Sequence, residues 1–192
     1  MKKRKKKFVA REKSELYQTF HMAITFILSV VFIVLFLNLF YMTLIYYFPI
    51  EIPQQLPDDM KFFVNTMMSE SKSDFEFIQK VYYFVDNRYG STRLAYLWFP
   101  DKVLERNFTT IWNTPGYQPC YSQNVIMQAM LLESGHFELK DIQSINILSY
   151  FPHQYLKIKI DGTWLNVDPW GADHNIEFNH FYYPYSLFTF IK

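Results

Sequence analysis

Residues 16–50 contain no Asp, Glu, Lys or Arg, and within them 22–48 is apolar almost without interruption. As a helix, about 27 residues reach ~40 Å, more than the ~30 Å hydrocarbon core of a bilayer. No other feature restricts the chain as much, because only lipid or a large protein interior can cover such a run. A cleavable signal peptide fits poorly, since the run is too long and no small-x-small motif follows it. A buried helix of a soluble protein is the competing reading. Ahead of the run stands Met1-Lys2-Lys3-Arg4-Lys5-Lys6-Lys7, with Arg11 and Lys13 close behind. Beside an apolar span, such a basic flank is held in the cytoplasm and the rest of the chain faces outward. Tyr41, Tyr46 and Tyr47 suit the interface at the far end.

The expected organisation follows: a basic cytoplasmic tail at 1–21, a transmembrane helix at 22–48, a proline-bearing linker at 49–59 and an ectodomain at 60–192. This is a single-pass protein of the cell membrane with the lipid bilayer as a partner. The net charge is +1 with the basic residues concentrated at one end, which argues against nucleic acid as a partner. The single cysteine, Cys120, excludes an intramolecular disulfide. An ectodomain of this size can bury its own core without one. The unpaired thiol then reads as a nucleophile or as a site of intermolecular pairing.

Residues 153–160 largely alternate apolar and polar, meet Asp161-Gly162, and alternate again over 163–168. Asp-Gly between two such runs signals a hairpin with a type I′ turn, whose two central residues need positive φ. That turn pairs Ile160 with Thr163, Ile158 with Leu165, Leu156 with Val167 and Tyr155 with Asp168. Leu156, Ile158, Ile160, Leu165 and Val167 then share the core face, and His153, Tyr155, Lys157, Trp164, Asn166 and Asp168 share the other. His153 becomes the diagonal neighbour of Asp168, at roughly 7–8 Å between backbones, which two side chains can close. The carboxylate would hold one imidazole tautomer and leave the other ring nitrogen for chemistry. In the plain alternative, His153 is a strand-edge residue and Asp168-Pro169 ends the strand.

Residues 121–134 place Val125, Ile126, Ala129, Met130 and Leu132 at helical spacing, and Gly135 stands where a C′ glycine belongs. Pro119 suits the first turn, so Cys120 opens a largely apolar helix. The dipole and unpaired amides there favour a thiolate and can face a developing oxyanion. A buried cysteine used as core filler is the alternative.

Together these residues resemble the transglutaminase-like superfamily, similar in its core to papain-type thiol enzymes. The resemblance rests on Cys120 opening a helix that ends at Gly135, His153 two residues before Tyr155, Gly162 in a turn, Trp164, and Asp168-Pro169, over roughly 74–170. It implies an α+β fold with a core helix packed on an antiparallel sheet, a Cys120-His153-Asp168 triad, no cofactor and a protein or peptide substrate. Gln118, Tyr121 and Trp112, with Asn113, are candidates for the oxyanion or substrate side chain. The thioester would pass to water or to an amine. A silent domain of this type that binds a cell-envelope partner is the other implication.

The remaining segments are read as packing. Ser73-Asp74-Phe75-Glu76 is a capping box that opens a helix through Phe75, Ile78, Val81, Tyr82, Val85 and Tyr89. A short helix is expected over 60–68. Residues 90–119 read as irregular, with one short helix near 102–106, and Asn107-Phe108-Thr109 fits a glycosylation sequon. Residues 141–150 read as a strand beside the hairpin, and 181–191 as a closing strand. His174, Glu177 and His180 form a weak alternative metal set, since strand spacing sends the carboxylate to the opposite face and helical spacing fans the three apart.

Overall fold

The computed structural model describes residues 2–92, 98–148, 152–181 and 188–191. Two compact units divide the chain, Met1–Tyr41 and Met42–Lys192. The first lies within helix α1 (Lys2–Tyr47), which begins inside the basic stretch rather than at residue 22. Its apolar part, Tyr17–Tyr41, has a mean hydropathy of 2.7 and is long and apolar enough to cross a membrane. Large side chains along it stand uncovered, among them Phe26 (71 % exposed) and Phe32 (69 %). That exposure is the reverse of a soluble core helix.

The second unit is a mixed α+β body. Helices α2 (Asp58–Ser69) and α3 (Asp74–Arg88) precede two short ones, α4 (Pro100–Leu104) and α5 (Phe108–Asn113), and then α6 (Cys120–Glu133). Strands β1 (Ile142–Leu148), β2 (Pro152–Ile160) and β3 (Thr163–Val167) follow, then the four-residue helix α7 (Pro169–Ala172) and β4 (Phe188–Ile191). The sheet is antiparallel with order β3-β2-β1-β4, so the three consecutive strands form its body and β4 pairs with the outer edge of β1. Of the expected strands, 149–150 and 182–187 lie outside the described residues. So does 93–97 of the loop ahead of the cysteine.

The hairpin has the expected register: Leu156 faces Val167, Ile158 faces Leu165 and Ile160 faces Thr163. Asp161 (φ 48°) and Gly162 (φ 82°) supply the two positive φ angles. Leu156, Ile158 and Val167 enter the main core with Ile142, under α6. The opposite face is covered as well. Ile145 pairs with Tyr155 and Ile147 with His153, and the Phe181 ring stacks on Tyr155 at 4.2 Å. Toward the turn, Gln143, Lys157 and Asn166 on that face are half-buried, and Lys159 and Trp164 are exposed.

Helix α6 is the hub, packed against α2, α3 and β2. It is buried nearly all round, from Cys120 and Ile126 to Met127, Met130 and Leu131, as expected of a helix without a polar stripe. It ends at Ser134, with Gly135 in the left-handed region at φ 72°.

Three local expectations are corrected. The Ser73 hydroxyl does accept from the Glu76 amide (3.2 Å), but the Glu76 carboxylate takes the Lys72 amide (2.9 Å), one residue before the cap, so the box closes differently. On the same helix the core residue is Phe77 (2 % exposed), not Phe75 (44 %), whose ring meets Phe178 instead. Among the described residues, 90–119 hold at least two short helices where one was expected. The second, α5, starts where the Asn107 side chain accepts from the Thr110 amide at 2.9 Å, so the sequon asparagine is a helix cap.

Candidate active site

Three elements meet at the site: the first turn of α6, the start of β2, and the turn from β3 into α7. Pro119 caps α6, and its carbonyl accepts the Ser122 and Gln123 amides at 3.0 and 3.2 Å. The Cys120 amide stands ahead of these, at the first position of the helix, where no preceding turn supplies a carbonyl. The entry loop is fixed by a short ladder that sequence reasoning missed. Gly116 N–H donates to Arg88 O (3.1 Å), Gly90 N–H to Gly116 O (3.1 Å), and Gln118 N–H to Gly90 O (3.2 Å). Gly116, at φ 96°, makes the bend that lets the loop run back along 88–90.

His153 and Asp168 meet as the hairpin register requires. The ring Nε2 and the carboxylate Oδ2 are 2.7 Å apart, and both side chains are fully buried. Cys120 also favours the charged imidazole, and with Nε2 engaged by the acid, the buried Nδ1 is the second ring nitrogen. Burial opposes a charged ring, but the Asp168 charge and hydrogen bond, together with Cys120, outweigh it and push the His153 pKa up to about 10. The same carboxylate is felt more widely. Burial first, and Asp168 second, raise the phenols of Tyr82 and Tyr155.

Trp170 covers the ring, its centroid 5.1 Å from that of His153, and His174 packs on Trp170 at 4.3 Å. Ser91 ties this layer to the loop: its hydroxyl donates to Trp170 O (2.9 Å) and lies 3.4 Å from His174 Nε2, and its amide donates to Asp173. Near Asp173, burial and the neighbouring charge raise the Asp86 pKa to about 6. The three expected chemical groups are closed off from solvent, with Cys120 7 %, His153 1 % and Asp168 0 % exposed.

The remaining candidates divide. Gln118 lies two residues before the thiol, 1 % exposed, with its side-chain Nε2 donating to Thr114 O (3.0 Å) and its side-chain Oε1 without a hydrogen-bond partner. Tyr121 is turned toward α4: its hydroxyl donates to Val103 O and accepts from Arg106 at 3.1 Å. Trp112 is not at the site. Its indole N–H is held by Asp59 (2.9 and 3.0 Å) and its ring lies under the Arg88 guanidinium at 4.1 Å. The metal set does not assemble either. His174 belongs to the Trp170 layer, Glu177 and His180 are exposed, and His180 Nδ1 lies 3.3 Å from Phe178 O. Asn175 (φ 62°) and Asn179 (φ 68°) break 174–180 into turns, so neither strand nor helix spacing applies. Among the described residues no three metal-donor side chains converge.

A separate cavity of about 300 Å³ lies where 48–50 passes over α6 and β1, lined by Tyr121, Val125, Gln128, Ser144 and Gln154 among others, with no charged side chain. No family model, no curated protein and no solved structure matches this chain.

Proposed function

We propose that this chain is a membrane-anchored, transglutaminase-like thiol enzyme that transfers acyl groups from a protein or peptide amide. The observation that carries the reading is the buried His153–Asp168 pair at 2.7 Å, with Cys120 near enough to favour the charged form of the same imidazole. Cys120 Sγ attacks the amide carbonyl carbon, and the thiol proton passes to His153 Nδ1. The tetrahedral intermediate expels the amine, which leaves with the proton from His153, and a thioester remains. Water then attacks the thioester while His153 takes its proton, and the acid and the free thiol are released. Asp168 holds the tautomer and offsets the charge on the ring. The Cys120 amide, at the start of α6, serves as an oxyanion donor in this reading. Hydrolysis is favoured over crosslinking because nothing in a unit this small marks a second substrate site. The apolar part of α1 would be the anchor, with the basic end in the cytoplasm and the second unit outside.

The test is thiol reactivity in the full-length chain. Cys120 should alkylate with iodoacetamide faster than a model thiol at neutral pH. Cys120→Ser should lose both labelling and any amidase activity while keeping its circular dichroism spectrum. A fully active Cys120→Ser protein overturns the assignment.

A second reading draws on the burial of all three groups. In it the domain is chemically silent and binds a cell-envelope partner through its outer surface. It requires that Cys120 react no faster than a model thiol.

A further inference from the structure

Asp168 ends β3 and opens α7, and both of its oxygens are engaged. Oδ2 meets His153 Nε2 at 2.7 Å, and Oδ1 accepts the Gly171 N–H at 3.0 Å. The second bond resembles an ordinary helix cap, but α7 has only four residues. So short a helix gains little from capping, whereas the carboxylate gains a fixed orientation.

Gly171 differs in kind from Gly116, Gly135 and Gly162. Those three occupy positive φ and have open space where a side chain would stand. Gly171 is absent from the positive-φ positions, so its backbone conformation suits any residue. What it lacks is room: a Cβ there would lie 2.8 Å from Asp168 Oδ2, 2.9 Å from Asp168 Cγ and 3.2 Å from Ile176 Cβ. The Ile176 wall is pinned, because its amide donates to Gly171 O and its carbonyl accepts from Tyr82 Oη, both at 3.1 Å. An added methyl group is therefore relieved by moving the carboxylate, whose Oδ2 is the oxygen that meets the imidazole.

We propose that Gly171 is a positioning residue: its amide aims the Asp168 carboxylate, and its missing side chain leaves the space in which that carboxylate reaches His153. The inference rests on the reading that this ring and acid serve Cys120. Pro169-Trp170-Gly171 then forms one clamp, with the Trp170 ring over the imidazole and the Gly171 amide on the acid.

The experiment uses the full-length chain in detergent micelles, labelled with ¹⁵N-glycine, which gives only five amide signals, and with ¹⁵N-histidine to follow the imidazole. In the parent, the Gly171 amide shift should titrate together with the His153 ring. In Gly171→Ala the ring midpoint should fall by about one unit or more toward the ordinary imidazole value. Adding Gly171→Ala to Asp168→Asn should shift the midpoint no further, because both changes break one contact. Gly90→Ala is the control, since its Cβ would have 3.9 Å to its nearest neighbour, and it should leave the midpoint in place. An unmoved midpoint in Gly171→Ala, or additive shifts in the double variant, overturns the proposal. If Gly171→Ala does not fold, the parent titration decides: a Gly171 amide shift that stays flat through the His153 transition overturns it. An inert Cys120 in the parent counts against the thiol-enzyme reading alone and leaves the titration result decisive for Gly171.

Discussion

Trp112 and Asp59 are 53 positions apart, and the indole N–H of the one is shared by both carboxylate oxygens of the other, at 2.9 and 3.0 Å. The ring is fully buried and the carboxylate side is exposed. A residue that reads from sequence as a candidate substrate contact is thus the pin that fastens α5 to the start of α2. Replacing Asp59 by Ala leaves a buried donor without its partner, which costs about 1–3 kcal/mol. Urea denaturation should show the loss, Asp59→Asn should lose less, and the alkylation rate of Cys120 under native conditions should not change.

The His153 ring binds its proton more tightly in the folded chain than in the unfolded one. Its pairing with Asp168 therefore contributes stability in full below the unfolded value near 6.5 and loses it as pH rises through about 10. The stability difference between the parent and His153→Gln should be constant below pH 6 and shrink steadily on the alkaline side. A difference that grows with pH would mean that the ring is held neutral.

Asp86 gives the same sign at lower pH. Burial, with the charge of Asp173, raises its carboxyl to about 6, so the folded state prefers the protonated form. Whatever stability this lends is complete below the unfolded value near 4 and gone once pH passes about 6. Asp86→Asn should accordingly leave the melting temperature unchanged at pH 4 and raise it at pH 7. Solvent screening of a half-exposed group limits the gain to ~1 kcal/mol. A lower melting temperature at pH 7 would show that the carboxylate has a favourable role there.

Gly162 holds the second positive φ of the hairpin turn, at 82°. An alanine there has open space but the wrong backbone preference, and should cost about 1–2 kcal/mol. Since the turn is exposed, the effect should appear in thermal melts and leave the His153 titration unmoved. A shifted titration would mean that the hairpin end and the site are mechanically coupled.

The parts of the fold that follow from period and turn chemistry were readable without coordinates. Asp161-Gly162 dictated the register of β2 and β3, and that register alone brought His153 to Asp168. Pro119 and Gly135 marked both ends of the Cys120 helix. Pattern could not reveal what depends on distant partners. Phe75 and Phe77 both fit a helical stripe, and only the position of Phe137 and Phe178 decides which ring faces inward. Trp112 looked free because Asp59 lies far away in sequence. Helix α5 escaped notice because its six residues are too few for periodicity, although Asn107 carried a cap signal. The closure of the site by Trp170, Ser91 and His174 joins segments about 80 residues apart. In sequence, His174 had only a weak metal pattern to suggest a role.

The turn at Asp161 and Gly162 lies nine residues from His153, some 30 Å along an extended strand. Side chains in a strand alternate sides, so a pairing slipped by one residue would send either the ring or the acid through to the opposite surface. Loop length at this remote, solvent-facing tip is therefore under the same constraint as the His153–Asp168 pair itself. Small insertions that a typical surface bend absorbs without consequence would here part a ring and an acid they never touch.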